Sequence, residues 1–60
     1  METIKDLLTD YIEVVSIRDR ESNVIDNLTP QEAVEKYPQE VLWYDIVPYG
    51  LLTYCLKVML

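Results

Sequence analysis

Residues 40–60, EVLWYDIVPYGLLTYCLKVML, decide how this chain folds. They hold its only Gly, Trp and Cys, and apolar residues alternate on both sides of Pro48-Tyr49-Gly50. That triplet predicts a β-hairpin with a three-residue loop, a type I turn opened by Pro48 and closed by Gly50 in the left-handed region. In the resulting register Val47 opposes Leu51, Ile46 opposes Leu52, Tyr44 opposes Tyr54 and Leu42 opposes Leu56. One face carries Leu42, Tyr44, Ile46, Leu52, Tyr54, Leu56 and Val58, with no charge among them. The other carries Val41, Trp43, Asp45, Val47, Leu51, Thr53, Cys55 and Lys57, with Trp43 opposite Cys55. A two-residue loop would mix the two sets, because a one-residue slip exchanges the faces of a strand. The charge-free face is therefore the expected core, with Tyr44 and Tyr54 serving it. The mixed face is surplus apolar surface.

Working outward, NLTPQEAVEKYP (27–38) predicts a helix over about 30–37. Thr29 is its N-cap, Pro30 occupies N1, and Glu32 at N3 completes a capping box. Leu28 and Ala33 stand in the staple positions, and Glu32 and Lys36 form an i, i+4 pair. Pro38 disfavours a helical Tyr37 and ends the helix. Ala33, Val34 and Tyr37 point inward.

The β-branched run IEVVSIR (12–18) predicts a strand,. Its alternation is imperfect, since Ile12 and Val14 face one way and Val15 and Ile17 the other. Either both faces are partly covered or a bulge lies near Val14 and Val15. The polar turn DRESN (19–23) leads into a short strand, Val24-Ile25-Asp26. At the start, Ile4, Leu7, Leu8 and Tyr11 fall on one helical face, and Thr3 with Asp6 resembles a capping box, which predicts a helix over 3–10. The expected fold is α+β, in the order α-β-β-α-β-β. A four-stranded antiparallel sheet carries two short helices on one face, as a single domain over 1–60.

Composition narrows the function. A 60-residue chain with one Cys and no His can form neither an internal disulfide nor a Cys/His zinc site. A small core then needs efficient packing or a partner subunit. Without His there is no Ser-His or Cys-His pair, and one Gly leaves no phosphate-cradling loop. The chain is thus expected to be non-enzymatic, with no cofactor. Asp19, Glu21 and Asp26 lack the ligand alternation of a calcium loop and read as solvated turn acids. A net charge of −6 disfavours direct nucleic-acid or anionic-membrane binding. The residues after Met1 do not resemble a signal peptide, and no apolar run approaches a membrane span, so a cytoplasmic protein is expected.

Two groups of residues stand out as partner-binding. Glu2, Asp6 and Asp10 recur at i, i+4, i+8 on the expected first helix, with Glu13 just beyond. Such an array could engage a basic groove in place of phosphates. Trp43 on the mixed face and Tyr49 at the turn tip are of the types enriched at binding hot spots, and Leu51 extends the same patch. Asp6, Asp10, Glu13, Trp43, Tyr49 and Leu51 are accordingly the candidate contact residues, and the mixed face predicts a homodimer with Trp43 in its interface.

The strand hairpin, the helix opened by TPQEAVEKY and the hairpin opening EVLWYDIV resemble the small acidic accessory proteins of Gram-positive phages and integrative elements. That resemblance implies a host-directed protein partner. The role would be inhibition of a nucleic-acid-binding or defence protein, as by anti-CRISPR proteins. The competing expectation is a structural homo-oligomer or small subunit that buries its hydrophobic sheet face.

Overall fold

The computed structural model of the protein describes residues 2–60. It is α+β: α1 (Ile4–Leu7), β1 (Ile12–Arg18), β2 (Val24–Leu28), α2 (Pro30–Lys36), β3 (Trp43–Pro48) and β4 (Tyr54–Met59). The four strands form one sheet in the order β2-β1-β4-β3. Both outer pairs are antiparallel hairpins, but β1 and β4 pair in parallel. The sheet is mixed, not wholly antiparallel as expected. Its cause is the connection from β2 to β3. With β1 and β4 parallel, β2 and β3 also run the same way, so the chain must return the length of the sheet between them. Parallel strands need a crossover of a dozen or more residues, and α2 with the extended segment 37–42 supplies it.

The core lies between this sheet and the two helices. Val15 pairs with Leu56 and Ile17 with Val58 across the central junction, and all four are fully buried. Ile4, Leu7, Ile12, Ala33 and Val41 complete the cluster. Burying a side chain of this size contributes about 1.5–3 kcal/mol.

The imperfect alternation of β1 is resolved by a bulge. Ile12 pairs with Tyr54 and Val14 with Cys55, leaving Glu13 as the extra residue. The bulge therefore lies one residue earlier than expected. It turns Ile12 to the helix side with Val15 and Ile17, and leaves Val14, Ser16 and Arg18 on the other side. A second irregularity follows Ile17, where β2 gains a residue opposite Arg18.

Helix α2 forms nearly as its sequence predicts, ending at Lys36. Thr29 Oγ1 accepts from the Glu32 N–H at 3.3 Å, while Glu32 Oε1 accepts from the Thr29 N–H and hydroxyl. Caps of this kind contribute about 1 kcal/mol. Lys36 does not pair with Glu32. Its Nζ lies 2.9 Å from Asp26 Oδ2, which also accepts from the Tyr37 hydroxyl at 3.1 Å. Asp26 faces the helices because its cross-strand partner is Ile17, and the three side chains tie α2 to β2.

Helix α1 is a single turn, shorter than the expected 3–10. Leu8 is already extended, so Tyr11 lies beyond the helix and is exposed. Asp6 Oδ2 accepts from the Thr3 N–H at 2.9 Å and its hydroxyl at 3.1 Å. The pair forms the capping box that the sequence suggests, and the Asp6 N–H also bonds the Thr3 carbonyl at 3.0 Å.

The closing hairpin departs most from expectation. Its pairs are Trp43–Met59, Tyr44–Val58, Asp45–Lys57, Ile46–Leu56, Val47–Cys55 and Pro48–Tyr54. The register has moved by four residues, and residues 49–53 form the loop. A four-residue shift preserves the two face sets, so Leu56 and Val58 still point to the core. Gly50 is not left-handed. Val41, expected beside Trp43 on the mixed face, is buried in the core instead, its N–H bonded to the Glu2 carbonyl at 2.8 Å.

The Asp26 latch makes a pH prediction. Hydrogen bonds from Lys36 and Tyr37 hold the Asp26 carboxyl below its ordinary 3.8, and Asp26 raises Lys36 above 10.5. Because the folded-state pKa of Asp26 is depressed, its contribution is complete well above 3.8 and is lost as pH falls through the folded value. The Lys36 contribution is lost only as pH rises through its raised value. The stability gap between wild type and Asp26→Asn should therefore be constant from about pH 5 to about pH 9 and close in acid. Urea denaturation of both proteins across pH checks this, and a gap that does not narrow as the pH is taken progressively below the ordinary carboxylate range would contradict it.

Candidate protein-binding surface

The two helices cover only part of the sheet. Helix α2 packs on β1 and β2, and α1 packs on α2. Nothing comparable lies over β3. Tyr44 and Ile46 point to the helix side and remain exposed, as do Leu42, Leu52 and Tyr54. The charge-free face is thus core at β1 and β4 and open surface at β3. Tyr44 and Tyr54, expected to serve the core, belong to that surface.

The open side continues into a cleft at the loop end of the molecule. Tyr11, Leu51, Leu52 and Tyr54 wall a space of about 410 Å³. Leu51 is 98% exposed and Leu52 81%, an unfavourable placement for two leucines. Hydrogen bonds hold them there. The Tyr49 N–H donates to the Thr53 carbonyl at 3.0 Å, and the Tyr54 N–H donates to the Tyr11 carbonyl at 2.9 Å. The Thr53 hydroxyl donates to Glu13 Oε2 at 3.0 Å, so the residue extruded by the β1 bulge anchors the loop. A Cβ on Gly50 would sit 2.5 Å from Thr53 Oγ1. Close approach, not a left-handed backbone, is what requires glycine here.

The outer edge of β3 is shielded against strand addition. Alternation from the Tyr49–Thr53 bond turns the N–H groups of residues 43, 45 and 47 toward β4 and those of 44 and 46 outward,. The Ile46 N–H is taken by Asp45 Oδ1 at 2.9 Å, and Pro48, at the next outward position, has none. Such blocking disfavours edge-to-edge pairing. Any contact made by β3 is a matter of its faces.

The six candidate contact residues fall in three separate places. Asp10, Glu13, Tyr49 and Leu51 lie in or next to the segments that form the loop end. Trp43 is at the opposite end of β3, about 16 Å from Pro48 at the usual rise per residue. It lies on the helix-free face opposite Met59 instead of Cys55 and is 50% exposed. Cys55 is buried. Asp6 is engaged at the start of α1, where the Thr3 N–H and hydroxyl hold its carboxyl below the ordinary range. Because α1 ends at Leu7, Asp6 and Asp10 share no helical face and the i, i+4, i+8 array does not form.

Asp19 closes the first hairpin loop, its Oδ1 accepting from the N–H groups of Glu21 and Asn23 at 2.9 Å each. Among the described residues no cluster of three or more His, Cys, Asp or Glu could hold a metal ion, and no helix is long and apolar enough to cross a membrane. Sequence reasoning missed Tyr11, Leu52 and Tyr54 as surface residues. The adjacent Leu51 and Leu52 directly after the turn were the available signal, because one of the pair cannot face the core. No family model, curated protein or solved structure matches the chain.

Gly50→Ala should destabilise the protein by about 1–3 kcal/mol, as overpacking does. In a Thr53→Ala background the cost should largely vanish, because the obstructing hydroxyl is gone. Chemical denaturation of the four proteins decides it. An undiminished cost in the Thr53→Ala background would point to the backbone of Gly50 instead.

Proposed function

We propose that this protein is a non-enzymatic protein-binding module. The observation that carries this reading is the apolar surface over β3 and the loop end, which the two short helices leave uncovered. Exposed apolar patches of this kind mark contact sites in small soluble domains. Asp10 and Glu13 belong to the segments at its loop end, and with a net charge of −6 the favoured partner is basic. In the form implied by the resemblance to mobile-element accessory proteins, that partner is a host nucleic-acid-binding or defence protein, inhibited in the manner of an anti-CRISPR. The acids serving this role are Asp10 and Glu13, in the segments at the loop end; Asp6 lies apart from them in α1.

Affinity capture from a Gram-positive host lysate tests the proposal. The expected result is a nucleic-acid-binding protein retained at low salt, released by about 0.5 M salt, displaced by competing nucleic acid, and not retained by Leu52→Asp. Capture unaffected by salt and by nucleic acid would overturn the basic-partner reading.

Trp43 favours a second reading, a homodimer joined through the helix-free face, where it lies with Val47 and Met59. A dimer at micromolar concentration that Trp43→Glu converts to a soluble monomer is its expected signature in analytical ultracentrifugation. A wild type that sediments as a monomer throughout the range removes it.

A further inference from the structure

We infer that the cleft between Tyr11, Leu51, Leu52 and Tyr54 is an anchor site for a peptide segment that places leucine-like side chains between flanking Lys or Arg residues. This rests on the protein-binding reading and specifies which part of the surface makes the contact and what chemistry it takes.

Three observations converge on it. The space, about 410 Å³, falls within the range of ligand sites, and its walls are two tyrosine rings and two leucines. Such walls select apolar side chains. The backbone that carries these walls is also braced before binding. Loop 49–53 is hydrogen-bonded across its own base and to Glu13, and Tyr54 is bonded to Tyr11, which lowers the ordering cost of association.

Charge settles the occupant. Every Lys and Arg of the chain lies at positions 5, 18, 20, 36 and 57. The segments that build the cleft, residues 9–13 and 48–54, contain no base. They contain Asp10, next to Tyr11, and Glu13, bonded to Thr53. An apolar cleft built from segments that carry carboxylates and no base favours a cationic segment over an acidic one. A second copy of this chain, itself acidic, is a poorer fit by the same argument.

Titration of ¹⁵N-labelled protein with three synthetic peptides tests the inference by NMR. The first is acetyl-Arg-Lys-Leu-Leu-Lys-Arg-amide. The second replaces both leucines by alanine, and the third replaces the four basic residues by Glu and Asp. The first peptide should give saturable shifts at Tyr11, Leu51, Leu52 and Tyr54. Binding of the other two should be at least tenfold weaker. Leu52→Asp, at a position 81% exposed and so expected to fold, should weaken the first peptide by a similar factor. Equal binding of all three peptides, shifts centred on Trp43, or no saturable binding at millimolar peptide would overturn the assignment. If the lysate partner is still captured in any of those cases, the cleft is wrong and the protein-binding reading stands. If capture also fails, both fall.

Discussion

Val15 beside Leu56 and Ile17 beside Val58, joined across the parallel pairing of β1 and β4, are the contacts on which the other elements depend. A single turn of α1 and two turns of α2 have no stability of their own. They fold because these four side chains offer an apolar floor for Ile4, Leu7 and Ala33. The two hairpins are likewise marginal alone, and the central junction makes one sheet of them. Every polar link that fixes an outer element, from Asp26–Lys36 to Glu13–Thr53, is attached to that frame.

The same arrangement explains why the surface is lopsided. A crossover helix of seven residues extends about 10 Å, and its packing on β1 and β2 leaves β3 without a cover. With so few residues the chain builds one helical layer over half a sheet. The remaining half exposes Tyr44, Ile46 and Tyr54. Yet the outer edge of β3 is blocked by Asp45 and Pro48, and the loop that carries the two leucines is hydrogen-bonded at its base. Surface that resists edge pairing and stands on a braced loop fits a specific contact better than nonspecific association.

The bulge at Glu13 links these two aspects of the molecule. By inserting one residue it turns Ile12 into the core, and the displaced Glu13 carboxylate receives the Thr53 hydroxyl. Core packing and the geometry of the loop end are therefore set by one irregularity. Gly50 belongs to the same construction, since a larger residue there would press on Thr53 and loosen its bond to Glu13.

Local chemistry made much of this legible in the sequence. The cap at Thr29, the five-residue loop at 19–23, the inward residues of α2 and the face alternation of the paired strands 43–48 and 54–59 all follow from interactions within a few residues. The irregular pattern of IEVVSIR indicated a bulge to within one position. What the sequence left open are quantities that local rules do not constrain. Face separation is unchanged by a register shift of any even number, so a four-residue displacement of β3 against β4 was invisible to it. Strand direction was the other. The 14 residues between Leu28 and Trp43 are long enough for a parallel crossover, but only the packing of Leu56 and Val58 beside Val15 and Ile17 selects it. The surface followed from that choice. Once β4 took the central position, Leu51 and Leu52 were left in the loop, β3 became an edge, and an apolar cleft opened where the sequence had suggested only a turn.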